Sequence, residues 1–595
     1  MEDVIETQTG ARIMRLHIQR FRAFQKLDWW PQPGLNVILG GGDAGKSTIL
    51  DAIALLLSPS NATTLSDNDY WRRDRAQGFM IGAVISLPAE IGVETQAHPA
   101  WPWEWNGKSA VAPQEKEDGS PSDHVGEPVF KIAVRGTDEL DLEYEILCPN
   151  GSADAFTPHL RRQIGLVRLS GDDRNDRDLR LVQGSALDRL LTDRALRARL
   201  GAKFSDEDLK AALLEEGQRS LKELDATFEE RALPHDLSLG LASAQGQSIS
   251  ALIGLTAAIE SGRLPLSSWG AGTRRLASLA VAQANKVGAP ITLVDEAERG
   301  LEPYRQRKLV RELAKGRSQV FMTTHSAPAL VAAQPATAWY LTPRHEIGSL
   351  SEPRSRQLLD RDPEVFLARL ALIGEGPTEV GFLEVLLTTE LPVDLLDLGI
   401  RIANGGGNQF CRDLLKEFQK AKFAVSAFVD NEGDAREAWK TLREHLGGLF
   451  FQWEEGCTEQ NVMTAVPGDK LQELLVDPEG HDTQNRVNTL VERLKVKQPG
   501  LSFPKHDFGA VAAAAGDDLR SLMIAAACGH SDGAPPGIEK TWKKHGKCWF
   551  KSEVGGRELA GKMYDLGAWS EIKPRLAAFV EALRVETMPG PGQAA

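Results

Sequence analysis

The chain has 595 residues, a formal net charge of -14 at pH 7, 42% hydrophobic residues and 26% charged residues. This length is several times that of a typical domain, so we expect two large lobes with sub-domains, and the composition is that of an ordinary globular protein. The negative charge excludes a protein that coats nucleic acid over its whole surface, whereas a local basic groove would still bind a nucleic-acid backbone.

Cysteine usage and the N-terminal residues indicate the compartment. The five cysteines are scattered and include no Cys-x-x-Cys pair, which favours reduced thiols in a cytoplasm over disulfides or a zinc site. The start, MEDVIETQTG, is acidic and lacks the apolar core of a signal peptide. No run approaches the ~20 apolar residues of a membrane span, so we expect a cytoplasmic protein without a membrane partner.

The first motif in the chain is Gly-x-x-x-x-Gly-Lys-Ser, at Gly40–Ser47. It follows Leu35–Leu39, an apolar run that predicts a buried strand, and it precedes Ser47–Leu57, whose apolar spacing predicts a helix. In such a loop the backbone N–H groups wrap a phosphate, the lysine reaches the β- and γ-phosphates and the serine binds Mg²⁺. The candidate nucleotide-binding residues are Gly40, Gly42, Gly45, Lys46, Ser47 and Thr48, of which Ser47 is also a candidate metal ligand.

Two further segments complete a candidate nucleotide site. In LSSWGAGTRRLASLAVA, which begins at Leu266, small residues precede a helix predicted from Thr273, and such a helix start suits a second phosphate contact. In PITLVDEAERGLEP, the apolar run Ile291–Val294 predicts a strand that ends in Asp295 and Glu296. Asp295 would hold Mg²⁺ through water, and Glu296 would be the catalytic residue that polarises the attacking water. The candidate phosphate-binding residues of the first segment are Ser268, Gly270 and Gly272.

A buried strand in SQVFMTTHSAPAL then ends at His325, and the order of these motifs resembles the ABC ATPases of chromosome maintenance and DNA repair. The resemblance implies that Gly270 belongs to the signature motif, which faces the nucleotide of a second subunit, and that His325 senses the γ-phosphate. It also implies ATP with Mg²⁺, held between two heads, and therefore a homodimer or a higher even oligomer. Trp269 stands where the usual signature motif has a glycine.

The N-terminal domain is therefore predicted to span residues 12–355. Its predicted helices at 187–229 are too short for a long coiled-coil arm, and a helical dimerisation insert at about 165–245 fits their length better. The polar, proline-containing segment Ser351–Asp362 marks a domain boundary. The second domain is predicted to span residues 366–595.

Carboxylates follow two predicted strands of the second domain. Leu370–Ile373 predicts a strand that ends at Glu375, and a helix from Thr378, capped by that residue, carries Glu379 in its first turn. Phe423–Val429 predicts a second strand, which ends in Asp-Asn-Glu-Gly-Asp. The acids of this second strand end are Asp430, Glu432 and Asp434.

In a parallel sheet these strand ends meet at one edge. Clustered carboxylates repel one another unless cations neutralise them, and a purely oxygen ligand set selects Mg²⁺, Mn²⁺ or Ca²⁺. A single acidic strand end is common in α/β proteins. Two acidic strand ends in this order indicate a divalent-cation site.

This arrangement resembles the Toprim domain, the metal-binding fold of topoisomerases, primases and certain nucleases. Glu375 matches the glutamate of that family, and Asp430 with Glu432 matches its Asp-x-Asp, with Glu in place of the second Asp. An ABC head followed by a Toprim domain resembles the OLD (overcoming lysogenization defect) family of nucleases, which includes the nuclease subunit of the Gabija phage-defence system. The expected fold is α/β throughout: an ABC-type ATPase head with a helical dimerisation insert, then a Toprim α/β domain with helical additions.

The resemblance extends to two later segments and implies a two-metal nuclease. Glu459, in FFQWEEGCTEQNVM, matches a metal-binding glutamate, and Lys551, in KCWFKSEVGGRELAGKM, matches a catalytic lysine. Glu375 and the acids from Asp430 to Asp434 would hold one cation, while Glu379 and Glu459 would hold the other. Two such cations activate water and stabilise the leaving oxygen of a phosphodiester, a lysine stabilises the charge of the transition state, and Glu375 or a neighbour would be the base.

The segment Lys540–Lys551 contains five lysines, His545, three aromatic residues and no acid. Lysines bind phosphates, and the aromatic residues would either stack on bases or pack internally. The candidate DNA-binding residues are Lys540, Lys543, Lys544 and Lys547.

The predicted function is an ATP-controlled DNA endonuclease in phage defence or DNA processing, with DNA and a candidate helicase as partners. The alternative is a non-cleaving DNA-binding ABC ATPase clamp or sensor with a degenerate Toprim domain. A topoisomerase needs a tyrosine nucleophile, and Tyr564 is the sole tyrosine after Glu375. A transporter head would need membrane spans, which the sequence lacks.

Overall fold

The computed structural model describes residues 10–61, 63–88, 91, 93, 101–113, 126–169, 177–182, 185–191, 213–241, 253–260, 262–284, 289–334, 336–431, 433, 435–500, 503 and 507–587. The chain divides into two compact units, Met1–Ser351 and Glu352–Ala595, each with its own hydrophobic core. The division falls at the start of the polar segment Ser351–Asp362.

The first unit is rich in strands, with helices between them. Its strands are β1 (Arg12–Phe21), β2 (Phe24–Trp29), β3 (Leu35–Leu39), β4 (Phe79–Ser86), β5 (Trp103–Trp105), β6 (Ala110–Val111), β7 (Glu127–Gly136), β8 (Leu142–Leu147), β9 (Ala153–Ala155), β10 (Leu166–Leu169), β11 (Ser238–Leu241), β12 (Ile253–Ile259), β13 (Gly262–Pro265), β14 (Ile291–Val294), β15 (Val320–Thr323), β16 (Thr337–Leu341) and β17 (Ile347–Ser349). Its helices are α1 (Lys46–Leu56), α2 (Pro158–Ile164), α3 (Ala186–Leu190), α4 (Glu215–Glu230), α5 (Ala271–Gln283), α6 (Pro303–Lys315) and α7 (Ala327–Ala332).

Two large sheets organise this unit. An antiparallel sheet has the order β2-β1-β4-β7-β5-β6, with β8 and β9 attached through β7. The second sheet has the order β10-β14-β15-β3-β16-β17, and its strands are parallel except for the pair β16–β17. All five residues of β3 are buried, as expected for a central parallel strand that is covered on both faces. The loop after β3 therefore lies in the middle of this sheet edge, between the ends of β15 and β16.

The range 165–245 differs from the predicted helical insert at its start. Leu166–Leu169 is strand β10, paired in parallel with Ile291–Val294, so this segment belongs to the nucleotide-site sheet. Beyond it, the described residues form the short helix α3, the amphipathic helix α4 and the strand β11, which joins β12 and β13 in a small antiparallel sheet. Residues 192–212 and 242–252 lie outside the described residues, and dimerisation through this insert stays a prediction.

The second unit combines a small sheet with many helices. Its strands are β18 (Leu370–Gly374), β19 (Ile400–Asn404), β20 (Val425–Val429) and β21 (Phe450–Gln452). Its helices are α8 (Pro353–Arg361), α9 (Pro377–Glu390), α10 (Leu395–Leu398), α11 (Asn408–Ala421), α12 (Arg436–Leu446), α13 (Thr458–Ala465), α14 (Thr483–Lys497), α15 (Phe508–Ala515), α16 (Leu519–Cys528), α17 (Glu539–His545), α18 (Glu553–Asp565) and α19 (Trp569–Thr587).

The sheet of the second unit is parallel throughout, in the order β19-β18-β20-β21. Strand β20 begins at Val425 rather than at Phe423, so the predicted strand is two residues too long at its start. The physical reason is that Lys422 ends α11 in the left-handed conformation, with φ at 56°, and the Phe423 ring packs 4.5 Å from the ring of Phe418. Across the described ranges, no helix has both the length and the apolar character needed to cross a bilayer.

Helices α9 and α18 approach one another through two glycines. A Cβ atom on Gly381 would lie 1.9 Å from the Glu553 carbonyl oxygen, and one on Gly556 would lie 2.1 Å from the Thr378 carbonyl oxygen. Only glycine allows this contact, because a separation below 3 Å overlaps the van der Waals radii. The crossing brings the start of α9 next to the segment that precedes α18.

A buried ion pair fixes the same region from α14. Arg486 is 2% exposed, and its Nη2 lies 2.6 Å from Glu558 Oε2 on α18. Its Nε donates to the Cys548 carbonyl at 2.8 Å. The guanidinium therefore joins α14 to α18 and to the backbone just before Lys551.

Candidate nucleotide and metal sites

The phosphate loop after β3 needs glycine at two positions. Gly40 has φ at 149°, and a Cβ there would lie 2.4 Å from the Leu341 carbonyl oxygen. Gly45 has φ at 95° and stands at the N-cap of α1. Both conformations are strained for any residue with a Cβ, whereas Gly42 is exposed and nothing lies within 4 Å of the position of its Cβ.

Lys46, Ser47 and Asp295 converge at this loop, as the sequence predicts. Lys46 Nζ donates to the carbonyls of Gly40 at 3.1 Å and Gly41 at 2.7 Å. Ser47 Oγ donates to Asp295 Oδ1 at 3.1 Å, and Thr48 follows, half-buried on α1. Burial lowers the pKa of Lys46, and the nearby Asp295 carboxylate opposes this shift. The loop therefore holds a cation and a Ser–Asp pair, which are the groups that bind a triphosphate with Mg²⁺.

Glu296 is held in the left-handed conformation, with φ at 49°. Its N–H donates to Thr323 Oγ1 at 2.8 Å, and the Thr323 hydroxyl in turn donates to Asp295 Oδ1 at 2.7 Å. The buried Arg275 of α5 donates to the carbonyls of Glu296 at 2.8 Å and Asp295 at 2.7 Å. Such strain costs about 1–3 kcal/mol and persists only where the surroundings fix the backbone. The hydrogen bonds from Thr323 and Arg275 therefore hold Asp295 and Glu296 in place. The side chain of Glu296 is half exposed, 3.5 Å from Arg299.

The segment Ser268–Gly272 lies at the start of α5, which begins two residues before the predicted Thr273. Gly270 is the N-cap and has open space around it, while a Cβ on Gly272 would lie 2.3 Å from the Gly300 carbonyl oxygen. Ser268 is exposed, and its hydroxyl donates to the Pro265 carbonyl at 2.7 Å. Gly270 and Ser268 are thus accessible to a ligand, and Gly272 is required by packing.

His325 follows β15 and is exposed. Its N–H donates to Glu298 Oε1 at 2.8 Å, and the Thr324 hydroxyl donates to Glu298 Oε2 at 2.6 Å. Glu298 therefore fixes the backbone of His325 at the sheet edge that carries the phosphate loop. The sequence pattern gives no sign of Glu298, because its role depends on a contact between two strand ends.

In the second unit, four of the predicted metal-binding carboxylates are buried. Their exposed fractions are 8% for Glu375, 4% for Glu379, 9% for Asp430 and 3% for Glu459. Glu375 and Asp430 follow the neighbouring parallel strands β18 and β20, and Glu375 Oε2 accepts the N–H of Asp430 at 3.1 Å. Glu432 and Asp434, also predicted as ligands, lie outside the described residues.

Two threonines fix the orientation of these carboxylates. Thr458, at the start of α13, donates to Asp430 Oδ1 from its N–H at 3.0 Å and from its hydroxyl at 3.1 Å. The Thr378 hydroxyl lies 3.1 Å from Glu459 Oε1 and 3.0 Å from the Phe550 carbonyl oxygen. The start of α9, the start of α13 and the segment at Phe550 are thus joined around the carboxylates.

Thr378 is not the helix cap that the sequence predicts. The N-cap of α9 is Gly376, whose N–H donates to Glu379 Oε2 at 2.9 Å. Thr378 lies inside the first turn and is 5% exposed. The prediction is wrong because Pro377 starts the helix one residue earlier, and Thr378 instead serves the carboxylates.

The electrostatics of the cluster suit divalent cations. Burial, followed by the charges of Glu459 and Glu375, raises the pKa of Glu379 to about 7. Burial, followed by the charges of Glu379, Glu459 and Glu375, raises the pKa of Asp430. Within the described ranges, no lysine or arginine forms an ion pair with Glu379, Asp430 or Glu459. Crowded oxygen donors of this kind fit Mg²⁺, Mn²⁺ or Ca²⁺, whose charge would offset the mutual repulsion.

A thiol also borders the carboxylates. Cys457 Sγ and carboxylate oxygens of Asp430 and Glu459 all lie within 4.8 Å of one another, and Cys457 Sγ lies 3.3 Å from Cys528 Sγ. All five cysteines are free thiols. Cys457 and Cys528 are 71 residues apart, so no short motif could have identified the pair.

The lysines of the basic segment are exposed, but its aromatic residues are not. Lys540, Lys543, Lys544, Lys547 and Lys551 all lie at the surface. The exposed fractions of Trp542, Trp549 and Phe550 are 4%, 3% and 0%, so these rings pack internally and base stacking by them is excluded. Lys551 directly follows the Phe550 carbonyl that Thr378 binds.

Two family models match the N-terminal unit. One, described as an AAA domain, putative AbiEii toxin, Type IV TA system, matches residues 145–332. The other, described as an AAA domain, matches residues 15–98. No curated protein matches the chain.

Two solved structures are similar to part of the chain. The Smc head domain with an extended coiled coil, bound to the C-terminal domain of ScpA and derived from Pyrococcus furiosus, is 15% identical with a TM-score of 0.37, over 59% of this chain and 99% of that chain. The recombination mediator protein RecF-ATPrS of the RecFOR pathway is 14% identical with a TM-score of 0.33, over 58% of this chain and 99% of that chain.

The family matches and the loop geometry agree on the N-terminal unit. The two matched ranges contain the phosphate loop, the start of α5 and the acid pair after β14. The N-terminal unit thus matches AAA-type ATPase domains, and its phosphate loop has the groups that bind ATP with Mg²⁺.

Proposed function

We propose that the chain is an ATP-controlled, metal-dependent DNA endonuclease that resembles the OLD family, with an ABC-type head followed by a Toprim domain. The observation that carries the proposal is the group of four buried carboxylates at the ends of β18 and β20 and the starts of α9 and α13. The oxygen ligands of these carboxylates suit divalent cations. Thr378 connects Glu459 to the Phe550 carbonyl, which directly precedes the exposed Lys551. The N-terminal ATPase domain supports control by nucleotide.

The carboxylates would divide into two groups. Glu375 and Asp430, with the predicted Glu432 and Asp434, would hold one divalent cation, and Glu379 and Glu459 would hold the other. Bound cations of this kind supply an activated water and charge stabilisation for phosphodiester cleavage. Thr458 and Thr378 would orient Asp430 and Glu459, since hydrogen bonds to ligating carboxylates set their geometry.

Lys551 would stabilise the charge that develops on the cleaved phosphate. Its position supports this role, because the preceding residue, Phe550, is tied to Thr378 and so to Glu459. The exposed Lys540, Lys543, Lys544 and Lys547 would contact the DNA backbone nearby.

In the first unit, Lys46 would bind the β- and γ-phosphates, and Ser47 with Asp295 would hold Mg²⁺. Glu296 would polarise the attacking water, and His325 would sense the γ-phosphate. Gly270 and Ser268 would contact the nucleotide of a second copy of the chain, so the proposed active form is a homodimer or a higher even oligomer. A helicase partner and a role in phage defence stay predictions from the resemblance.

The test is cleavage of supercoiled plasmid with Mg²⁺ or Mn²⁺. The wild-type protein should produce nicked and linear DNA, EDTA should abolish both, and Glu375→Ala should yield neither. The matched control is Glu444→Ala, which removes an exposed acid from α12 and should cleave like the wild type. Wild-type protein without metal-dependent product on any DNA form, with or without ATP, would contradict the proposal and favour a non-cleaving clamp or sensor.

A further inference from the structure

Helix α6 carries a line of cations along its exposed face. One side of the helix carries Lys308, Arg311 and Lys315 together with Tyr304, at intervals of four, three and four residues from Tyr304 onward. Arg307 lies beside them. All five side chains are exposed. The opposite side is the buried one, formed by Gln306, Leu309, Val310 and Leu313. We name Arg307, Lys308, Arg311 and Lys315 the basic stripe.

The charge of the basic stripe is not neutralised by neighbouring acids. Glu312, the acid next to the stripe, lies 3.6 Å from Arg231. In the part of the chain that the structure describes, Arg307, Arg311 and Lys315 take part in no ion pair. In a protein with a net charge of -14, such a patch is a local attractor for polyanions.

The surface along the stripe is concave and extended. The stripe, Tyr304 and Glu312 line a groove of about 400 Å³. A second groove of about 510 Å³ shares Glu312 and Lys315 with the first and adds Arg231 and Arg317. From Tyr304 to Lys315 the helix rises about 16 Å, which is close to five base-pair steps of ~3.4 Å.

We propose that the basic stripe binds the sugar–phosphate backbone of duplex DNA. This inference rests on the proposed DNA nuclease function and adds a DNA contact on the ATPase unit. Lysine and arginine side chains on this helix face would bind phosphates and not base edges, so the contact would not depend on the DNA sequence. Tyr304, 62% exposed, offers a hydroxyl to the same backbone.

The buried side of α6 is attached to the nucleotide site. Gln306 Oε1 accepts the hydroxyl of Ser326, the residue after His325, whose N–H is held by Glu298. Gln306 Nε2 donates to the Leu301 carbonyl at 2.7 Å, so the side chain is fixed at both ends. DNA on the stripe would therefore lie on a helix that is anchored beside the candidate γ-phosphate sensor, and DNA should change the rate of ATP hydrolysis.

The test measures binding of a labelled 30-base-pair duplex by full-length protein that carries Glu375→Ala to prevent cleavage. Fluorescence anisotropy at several KCl concentrations gives both the affinity and its salt dependence. The stripe variant, Arg307→Ala with Arg311→Ala, is compared with Arg219→Ala and Lys222→Ala, which remove two exposed cations from α4 of the same unit. ATP hydrolysis is measured for each protein with and without DNA.

We expect the stripe variant to lose roughly tenfold in affinity at 0.15 M salt and to lower the salt-dependence slope by about 1.8, or ~0.9 for each phosphate contact removed. Its basal ATP hydrolysis should persist, while the effect of DNA on hydrolysis should disappear. A stripe variant with the affinity and slope of the α4 control would overturn this inference and leave the nuclease proposal standing. Absence of DNA binding by the parent protein would overturn both proposals.

Discussion

Thr378 joins three segments of the second unit through a single hydroxyl. It lies on α9, and it contacts Glu459 of α13 and the Phe550 carbonyl just before Lys551. The hydroxyl thereby fixes a candidate metal ligand and the backbone next to the candidate catalytic lysine. Losing this contact should loosen the site without removing any proposed ligand.

Replacing Thr378 by Val should therefore weaken binding of Mn²⁺ by about 10- to 100-fold, because hydrogen bonds to ligating carboxylates contribute that much to metal affinity. Titration of Mn²⁺ by electron paramagnetic resonance measures the change. Thr388→Val, on the exposed side of the same helix, is the matched control and should bind Mn²⁺ like the wild type. Equal affinity of the two variants would refute the positioning role of Thr378.

In the first unit, Glu296 combines a strained backbone with an accessible side chain. Glu296→Gln keeps the shape and removes the charge that would polarise the attacking water. ATP hydrolysis should fall by about 10²–10⁴-fold, the typical contribution of a general base, while ATP binding persists. The two are measured by phosphate release and by nucleotide fluorescence. Glu302→Gln, an exposed acid six residues later, should hydrolyse normally, and a Glu296→Gln variant with unchanged turnover would exclude the proposed role.

At this scale the sequence predicts the residues that belong to contiguous motifs. The spacing of Lys46 and Ser47, and the acid at the end of β14, predict their convergence, which the contact between Ser47 and Asp295 confirms. The spacing cannot predict Arg275 or Thr458, because their partners are on other elements and both residue types are common on helices. Such residues are recognised only when the fold brings their partners together.

Among the elements, the crossing of α9 and α18 sets the geometry of the candidate metal site. Gly556 stands at the contact, where a Cβ would meet the Thr378 carbonyl, whereas Gly561 on the same helix has no atom within 4 Å of the position of its Cβ. The same substitution at these two glycines should therefore have opposite effects.

Gly556→Ala should destabilise the second unit by about 1–3 kcal/mol, because it overpacks a close helix contact. Gly561→Ala should be neutral or stabilise it by up to ~1 kcal/mol, since alanine favours a helix over glycine. Urea denaturation of the full-length proteins measures both changes. A Gly556→Ala protein as stable as Gly561→Ala would contradict the described crossing.

Apolar runs predict the central strands well, and their ends less well. Leu35–Leu39 and Ile291–Val294 are strands with the predicted bounds, since buried parallel strands read as continuous apolar runs. The start of β20 differs because the left-handed Lys422 ends α11 there. Leu166–Leu169 lies at the start of the predicted helical insert, and only its pairing with β14 shows that it belongs to the sheet.

On the scale of the whole molecule, the carboxylate cluster couples folding to cation binding. Four buried carboxylates repel one another, and a ligand that binds only the folded state stabilises it. Mg²⁺ or Mn²⁺ should raise the unfolding temperature of the second unit. Glu379→Gln removes one repelling charge, so it should raise the unfolding temperature in EDTA and reduce the gain from Mn²⁺.

Differential scanning calorimetry of the full-length protein measures this pair of effects. Glu444→Gln, at an exposed acid of α12 in the same unit, should leave both values unchanged. A Glu379→Gln protein that is less stable in EDTA, with the full gain from Mn²⁺, would contradict a repulsive cluster that is relieved by cations.

The organisation into two units follows from the sequence, because each unit has its own set of strand-ending motifs and the polar segment between them lacks apolar runs. The boundary at Ser351–Glu352 lies next to Pro353, which opens α8 rather than a loop. A proline in the first turn of a helix is compatible with both a linker and a helix start, so the sequence alone could not separate the two. The packing of Ser355 and its hydrogen bonds to Glu417 attach this helix to the second unit.

The central claim is that the two units carry two separable chemistries, ATP hydrolysis at the phosphate loop and DNA cleavage at the carboxylate cluster. The most direct measurement follows phosphate release and plasmid cleavage in one reaction, with ATP and Mn²⁺, for the wild type and Glu375→Ala. Glu375→Ala should hydrolyse ATP within about twofold of the wild-type rate and form no nicked or linear DNA, a loss of at least ~100-fold. Loss of both activities in Glu375→Ala, or cleavage that persists in it, would contradict the account.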